Sequence, residues 1–188
     1  MNRNHIYILL ACIILFSACA REDTGVIFPG TKLSGLGIAL EIPENFLLMP
    51  EEALAELEVM TLAMAPFTAI PRYAYAEIYG RGVLIISELA LIEGTNLGVH
   101  PFEHTQTYKK NLKAHFGVEE ITNETIVSNN ITTLFLAMLL GDDTLLFKGL
   151  SYISPNRFVM IDLYILYDVS PDEVLGLQNI FNSLTAAP

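Results

Sequence analysis

The second half of the chain contains four apolar, β-rich segments separated by short turns, and this pattern restricts the fold more than any other feature. The turns contain Asn, Asp, Gly, Ser and Pro, residues that favour tight reversals of the backbone. The segments are residues 125–128, 131–140, 144–153 and 158–167. Because strands that are apolar almost throughout need cover on both faces, the pattern predicts an antiparallel meander that is buried within the domain.

Three other segments carry helix signals. Pro50 is followed by two acidic residues, as is typical of a first helical turn, and the apolar spacing predicts a helix to about Met64. A second helix is predicted over residues 101–116, with basic residues in its last turns and Gly117 as the C-cap. Ser170-Pro171-Asp172-Glu173 forms a capping box. The helix that it starts has an apolar stripe as far as Leu184, and we expect this stripe to pack on the sheet.

The first half of the domain adds further strands. Residues 36–42 alternate between apolar and small or polar side chains and end at Pro43, which predicts a strand. Residues 72–79 and 83–91 flank Gly80-Arg81-Gly82, which predicts a β-hairpin. A short edge strand is also predicted at residues 26–28, before Pro29-Gly30.

This order of elements resembles the PsbP-like superfamily over about residues 33–185. The resemblance rests on Ile42-Pro43-Glu44-Asn45-Phe46 after an early strand, and on a last strand that leads into a helix closing with Phe181-Asn182-Ser183-Leu184. It implies an α+β fold, namely a three-layer α/β/α sandwich whose central antiparallel sheet has about six to seven strands, with helices on both faces. It also implies a binding or assembly surface rather than an active site, and it transfers no metal-binding or partner-binding residue.

The N-terminus resembles a bacterial lipoprotein signal. Residues 6–16 form an apolar run of 11 residues, which is too short to span a membrane because a transmembrane helix needs about 20. Phe16-Ser17-Ala18-Cys19 matches the lipobox pattern, with Phe16 in place of the commoner Leu. The resemblance implies cleavage before Cys19 and lipidation of that residue. We therefore expect a signal peptide at 1–18, a lipidated tether at 19–25, a single domain at 26–188, and a protein held on the membrane in the cell envelope.

Charge and cysteine content exclude several classes of function. The chain has a net charge of −11, and removal of residues 1–18 takes away Arg3 and leaves −12. Binding to nucleic acid requires a basic face, so we expect no nucleic-acid partner. Cys12 is lost with the signal and Cys19 carries the lipid, so no thiol pair remains for a disulfide, a redox couple or a thiolate metal site.

One short motif suggests metal chemistry. His100-Pro101-Phe102-Glu103-His104 fits the H-x-x-E-H pattern of a zinc-protease family. That chemistry requires both imidazoles on a regular helical turn and a third protein ligand. Pro101 places His100 at the very start of the predicted helix, which favours two surface histidines instead. His100 and His104 are therefore weak candidates for a metal site, and we expect no cofactor.

We expect a non-catalytic, lipid-anchored module that binds or assembles with a protein partner of the cell envelope. One alternative is a metal-dependent hydrolase that uses His100, Glu103 and His104. Another is a carrier of an apolar ligand beside the Met-containing segment Met60–Phe67, since Met-rich surfaces adapt to varied apolar ligands. Burial of that segment in the core is the structural alternative.

Overall fold

The computed structural model describes residues 31–33, 35–57, 67–91, 105–141, 143–154, 157–166 and 170–187. The helices in this part of the chain are α1 (Glu52–Leu57), α2 (Thr105–Phe116) and α3 (Pro171–Asn182). The strands in it are β1 (Thr31–Leu33), β2 (Ile38–Leu40), β3 (Phe46–Leu48), β4 (Phe67–Glu77), β5 (Gly82–Leu91), β6 (Thr122–Ser128), β7 (Ile131–Leu140), β8 (Thr144–Ser154), β9 (Arg157–Leu166) and β10 (Thr185–Ala186).

Seven strands form one sheet in the order β3-β4-β5-β9-β8-β7-β6. Every pair of neighbours in it is antiparallel. A smaller antiparallel sheet has the order β1-β2-β10. These observations confirm the predicted α+β class and the predicted antiparallel sheet of six to seven strands.

The predicted meander is confirmed as strands β6 to β9. Strand β7 begins at Ile131 and ends at Leu140, as predicted. The turn before it contains Asn129 and Asn130, with φ angles of 52° and 62°. The turn after it begins with Gly141, which has a φ of 65°. Asn and Gly adopt this left-handed conformation more readily than other residues, which is why they mark the strand ends so closely.

The β4–β5 hairpin is confirmed, but its first strand has different limits from the predicted 72–79. Strand β4 begins at Phe67 and passes through Pro71, where the register shifts between Pro71 and Tyr73. Proline cannot donate a ladder hydrogen bond, and such an irregularity accommodates it. Strand β4 ends at Glu77, and the two residues that follow belong to the turn.

The strands near the ends of the domain depart most from prediction. The strand predicted at 36–42 is shorter, because the amide of Leu36 donates to the carbonyl of Leu33 at 2.9 Å and closes a turn before β2. Strand β10 pairs with β2 through Thr185 opposite Ala39. Neither β3 nor β10 was predicted. The strand predicted at residues 26–28 lies outside the described residues.

Helices α1 and α2 agree with prediction where they are described, whereas α3 ends at Asn182, two residues before the predicted Leu184. Helix α1 lies within the predicted first helix, whose extension to about Met64 lies outside the described residues. Helix α2 ends at Phe116, as predicted. Gly117 follows with a φ of 70°, and its amide donates to the carbonyl of Lys113 at 2.9 Å. This bond is the predicted C-cap.

Buried side chains form two clusters, and the apolar residues of β9 alternate between these two clusters along the strand. Phe158 and Met160 belong to the first cluster, together with Tyr108 and Leu112 of α2. The second cluster is formed by β9 residues at the alternate positions, residues of the smaller sheet, and residues of α3. Its members include Leu33, Ile38, Leu40, Val159, Ile161, Leu163, Ile180 and Phe181. Alternate strand residues point to opposite sides of a sheet, so this sheet buries apolar side chains on both sides, as predicted.

Candidate binding cleft

A cleft of about 300 Å³ lies where one end of the large sheet meets helix α3. The residues that line it are Pro43, Asn45, Phe46, Glu77, Arg81, Gly82, Ile165, Gly176 and Leu177. They come from four separate stretches of the chain. Most of the cleft surface is apolar, with a few polar groups near its edge, as is usual for a ligand site in a protein.

The floor of the cleft is rigid because its apolar residues belong to the core. Phe46 and Ile165 are almost fully buried in the second cluster. Gly82 is paired with Ile165 and lies against Phe46, in a place with little room for a side chain. A Cβ atom at this position would lie 3.3 Å from the Phe46 ring and 3.3 Å from the carbonyl oxygen of Tyr164. Both contacts would be tight, so a side chain here would displace these groups by a few tenths of an ångström, and glycine permits their close approach.

Glu77 organises the edge of the cleft. Its side chain is buried, and its two oxygens accept four hydrogen bonds. Oε1 accepts from Asn45 Nδ2 at 3.1 Å and from Arg81 Nη2 at 3.4 Å. Oε2 accepts from the backbone amides of Tyr79 at 2.9 Å and Arg81 at 3.1 Å. A buried carboxylate is tolerated only when it is paired and hydrogen-bonded, and this one holds the β4–β5 turn in a single shape.

The turn presents apolar and aromatic side chains to solvent. Ile78 is 44% exposed and Tyr79 is 71% exposed. The guanidinium carbon of Arg81 lies 5.5 Å from the centroid of the Tyr79 ring, within the range of a cation–π contact. The amide of Ile78 also donates to the carbonyl of Asn45 at 2.9 Å, which joins the turn to the segment before β3. The result is an exposed aromatic ring on a well-ordered support beside the cleft.

Helix α3 forms the opposite wall. Gly176 is exposed, and a Cβ atom placed on it would meet nothing within 4 Å. Leu177 is half-buried and packs against the second cluster. A glycine in the middle of a helix costs about 0.5–1 kcal/mol relative to alanine. Because Gly176 has no side chain, α3 does not fill the cleft at this position. The helix is less stable for having glycine there.

The polar side chains in the cleft, Asn45, Glu77 and Arg81, are bonded to one another. Among its lining residues, the ionisable side chains are Glu77 and Arg81, and these two are bonded to each other. An acid–base catalyst needs a group that is free to exchange a proton with the substrate, and a carboxylate with four hydrogen bonds is poorly suited to that role. The apolar floor and the exposed ring instead suit an apolar side chain of a partner.

A second polar feature is buried beneath helix α2. Lys148 Nζ lies 2.5 Å from Asp162 Oδ1 and 3.3 Å from the sulfur of Met160. Both charged side chains are at most 1% exposed. Burial lowers the pKa of Lys148 and raises the pKa of Asp162. Burial also raises the pKa of Tyr108, and the nearby negative charge of Asp162 raises it further. Because both side chains are buried in the core, where a binding partner has no access to them, the pair affects the stability of the fold rather than binding.

The residues singled out in the sequence for chemistry lie almost entirely outside the part of the chain that the structure describes. Cys19, His100, Glu103 and His104 lie outside the described residues, as does the Met60–Phe67 segment apart from Phe67. The Phe67 ring is buried in the core, 5.4 Å from that of Phe158. Among the described residues, no group of three or more His, Cys, Asp or Glu side chains could hold a metal ion.

The cleft residues were not predicted as functional. Glu77 carried one usable signal, since it is an acidic residue at the end of a strand whose preceding positions are apolar or aromatic, directly before a glycine-containing turn. Gly176 carried another, since it interrupts an otherwise regular apolar helix.

In the part of the chain that the structure describes, no helix has the length and apolar character required to cross a membrane.

The fold can be compared with solved structures. Cyanobacterial PsbP (CyanoP) from Synechocystis has a TM-score of 0.51 at 13% identity, and the match covers 89% of this chain and 99% of that one. The chain has the PsbP-like fold. The Ran-binding protein Mog1p of Saccharomyces cerevisiae matches at a TM-score of 0.47 and 11% identity, over 86% of this chain and 96% of that one.

A third solved structure is LpqN, which is involved in cell envelope biogenesis of Mycobacterium tuberculosis. It matches at a TM-score of 0.41 and 16% identity, over 80% of this chain and 83% of that one. No family model matches the sequence, and no curated protein matches it. At these identities the comparisons show the fold, and the function has to be argued from the cleft.

Proposed function

We propose that this PsbP-like domain is a non-catalytic module of the cell envelope that binds a protein partner at the cleft. The observation that carries the proposal is the preformed apolar cleft beside the exposed Tyr79 ring. Glu77 holds both in place through four hydrogen bonds. A partner would insert an apolar side chain between Phe46 and Leu177 and cover Tyr79. Tyrosine is enriched among the residues that contribute most of the binding energy at protein interfaces.

The attachment to the membrane is part of the proposal. The lipobox Phe16-Ser17-Ala18-Cys19 supports lipidation of Cys19 and an orientation towards the periplasm or the exterior. Two or three acyl chains are enough for stable anchoring. We also propose that the helices cover both sides of the large sheet in a three-layer α/β/α arrangement. The two buried clusters, one with residues of α2 and the other with residues of α3, support it.

Filling the cleft tests the proposal. The change Gly176→Phe places a ring on the α3 wall, where a Cβ atom meets nothing within 4 Å. Phenylalanine also has a better helix propensity than glycine, so the variant should fold. Gly176→Ala is the matched control, because it makes the same correction to the helix while adding one methyl group. The inserted side chain of a partner contributes about 1.5–3 kcal/mol when buried, which is roughly a 10- to 150-fold difference in affinity.

The partner can be captured in the native membrane. Full-length protein with p-benzoylphenylalanine in place of Tyr79 is produced in the source organism and irradiated, and the adducts are identified by mass spectrometry. We expect a discrete adduct with the otherwise unchanged protein and with Gly176→Ala, reduced at least tenfold with Gly176→Phe. Equal adducts in all three proteins, or no adduct in any of them, would overturn the proposed function.

A further inference from the structure

The cleft has an acidic mouth in addition to its apolar floor. Glu44 is exposed and lies between the lining residues Pro43 and Asn45. Asp172 is exposed on α3, four residues before Gly176. Residues four apart lie on the same face of a helix, one turn from each other, so Asp172 lies on the side of α3 that borders the cleft. Neither acid lines the cleft itself, but each is an exposed residue of a segment that does, one beside Asn45 and the other on α3.

Positive charge does not balance these acids. Among the described residues that line the cleft, Arg81 is the one cation, and its guanidinium is bonded to Glu77 at 3.4 Å. Within the described residues, neither Glu44 nor Asp172 is in an ion pair. The basic residues of α2 belong to an element whose buried side chains pack in the other cluster. Two exposed acids thus border the cleft without an ion-pair partner among the described residues, and the net charge of −11 also favours a cationic partner at long range.

We infer that the cleft takes a segment of a partner protein in which an apolar or aromatic side chain is flanked by lysine or arginine. The inference rests on the proposed function and names the chemistry of the partner. The volume of about 300 Å³ is at the lower limit for a ligand site, which suits one side chain. The flanking cations would then reach Glu44 on one side and Asp172 on the other. Their long apolar stems can cover the exposed Tyr79 ring while the charged ends stay in water.

The charge preference can be measured with defined peptides. The probes are capped pentapeptides of sequence Gly-Lys-Phe-Lys-Gly, Gly-Glu-Phe-Glu-Gly and Gly-Lys-Ser-Lys-Gly. Each is titrated against full-length protein in uncharged, deuterated detergent micelles, and binding is followed by saturation-transfer difference NMR. We expect the first peptide to bind at least tenfold more tightly than the other two. Its affinity should also fall as salt rises, because exposed charges are screened.

Two pairs of variants separate the charge effect from the apolar one. Glu44→Gln combined with Asp172→Asn should weaken binding of the Lys-Phe-Lys peptide about fivefold, since exposed ion pairs contribute little individually. Glu120→Gln combined with Glu124→Gln is the matched control. It removes two exposed acids near the far edge strand β6 and should leave binding unchanged. Gly176→Phe should abolish binding, and Gly176→Ala should not.

The possible failures are distinguishable. If the Lys and Glu peptides bind equally and Gly176→Phe abolishes both, the charge preference is overturned while binding at the cleft stands. If Gly176→Phe leaves the Lys-Phe-Lys peptide bound, the peptide does not occupy the cleft and the inference is overturned. It is likewise overturned if no peptide binds, or if both double variants weaken binding equally. Adduct formation at position 79 tests the proposed function separately in each case.

Discussion

The change Lys148→Met would leave Asp162 in the core without its cation. In the native protein the two side chains are 2.5 Å apart and at most 1% exposed. Lys148 Nζ also lies 3.3 Å from the sulfur of Met160. Removing one member of such a pair typically costs about 3–5 kcal/mol, because an uncompensated charge remains buried. Methionine keeps most of the apolar stem of lysine, so the loss reports mainly on the charge.

The size of the loss follows from the proton that Asp162 has to take up. Burial already raises the pKa of this carboxyl from its ordinary value of 3.8, and loss of the neighbouring cation raises it further. Folding the variant at pH 7 then requires protonation of a group that is ionised when unfolded. One pH unit corresponds to 1.36 kcal/mol, so the cost is about 4.4 kcal/mol at pH 7 and about 1.6 kcal/mol at pH 5.

The change in the free energy of unfolding with pH distinguishes this mechanism from a simple packing defect. Between pH 5 and 7 the unfolded variant carries no proton on Asp162, whereas the folded variant carries one. Stability therefore falls by about 1.4 kcal/mol per pH unit as the pH rises. In the native protein the Lys148–Asp162 pair shares one proton when folded, and the two groups hold one proton when unfolded. The pair thus contributes no slope in that range.

Urea unfolding followed by circular dichroism at pH 5, 6 and 7 measures both quantities on the full-length protein. Lys110→Met is the control, since Lys110 is exposed on α2 and its loss should change stability by less than about 0.5 kcal/mol. The double change Lys148→Met with Asp162→Val should restore most of the stability at pH 7, because apolar pairs replace buried ion pairs well. A loss below about 1 kcal/mol at pH 7, or a loss that is independent of pH, would refute the argument.

Four further outcomes are expected. Gly149→Ala should cost about 1–3 kcal/mol in thermal or urea unfolding, since its Cβ would lie 2.6 Å from the Phe181 ring; a neutral effect would contradict the packing. Asn130→Ala should cost about 1–2 kcal/mol because of its φ of 62°, whereas Asn130→Gly should cost little. Cys19→Ser should keep its signal segment, run as a heavier band and leave the detergent phase, and native protein without acyl mass on Cys19 would refute lipidation. Protein purified without an affinity tag should contain no stoichiometric zinc, and stoichiometric zinc would revive the hydrolase hypothesis.

The part of the fold that was predictable from sequence is the part governed by local signals. Strand β7 was predicted with both of its ends correct, because Asn129-Asn130 and Gly141 adopt left-handed backbone conformations that other residues avoid. Helix α2 ended where predicted for the same reason, since Gly117 closes it. These signals act within a few residues and do not depend on the rest of the molecule.

Strands β3 and β10 had no comparable signal. They are three and two residues long, too short for a pattern of alternation to be recognised. Each exists because a distant strand offers it hydrogen bonds, as Ala39 does for Thr185 across most of the chain. The cleft was hidden for the same reason, since its walls come from residues near positions 45, 80, 165 and 176. Contacts between distant segments are set by tertiary packing, which local propensity does not encode.

The buried pair is a different case, because the sequence did contain the signal for it. The predicted strands at 144–153 and 158–167 were expected to be covered on both faces, and each of these two segments contains a single charged residue. A charge that is buried on both sides must find an opposite charge. The predicted turn between these strands is centred on position 155, so residues equally distant from it face each other in an antiparallel hairpin. Lys148 is seven positions before that centre and Asp162 is seven after it, and the structure places them in register. Turn position and burial together therefore predict the ion pair, although neither does so alone.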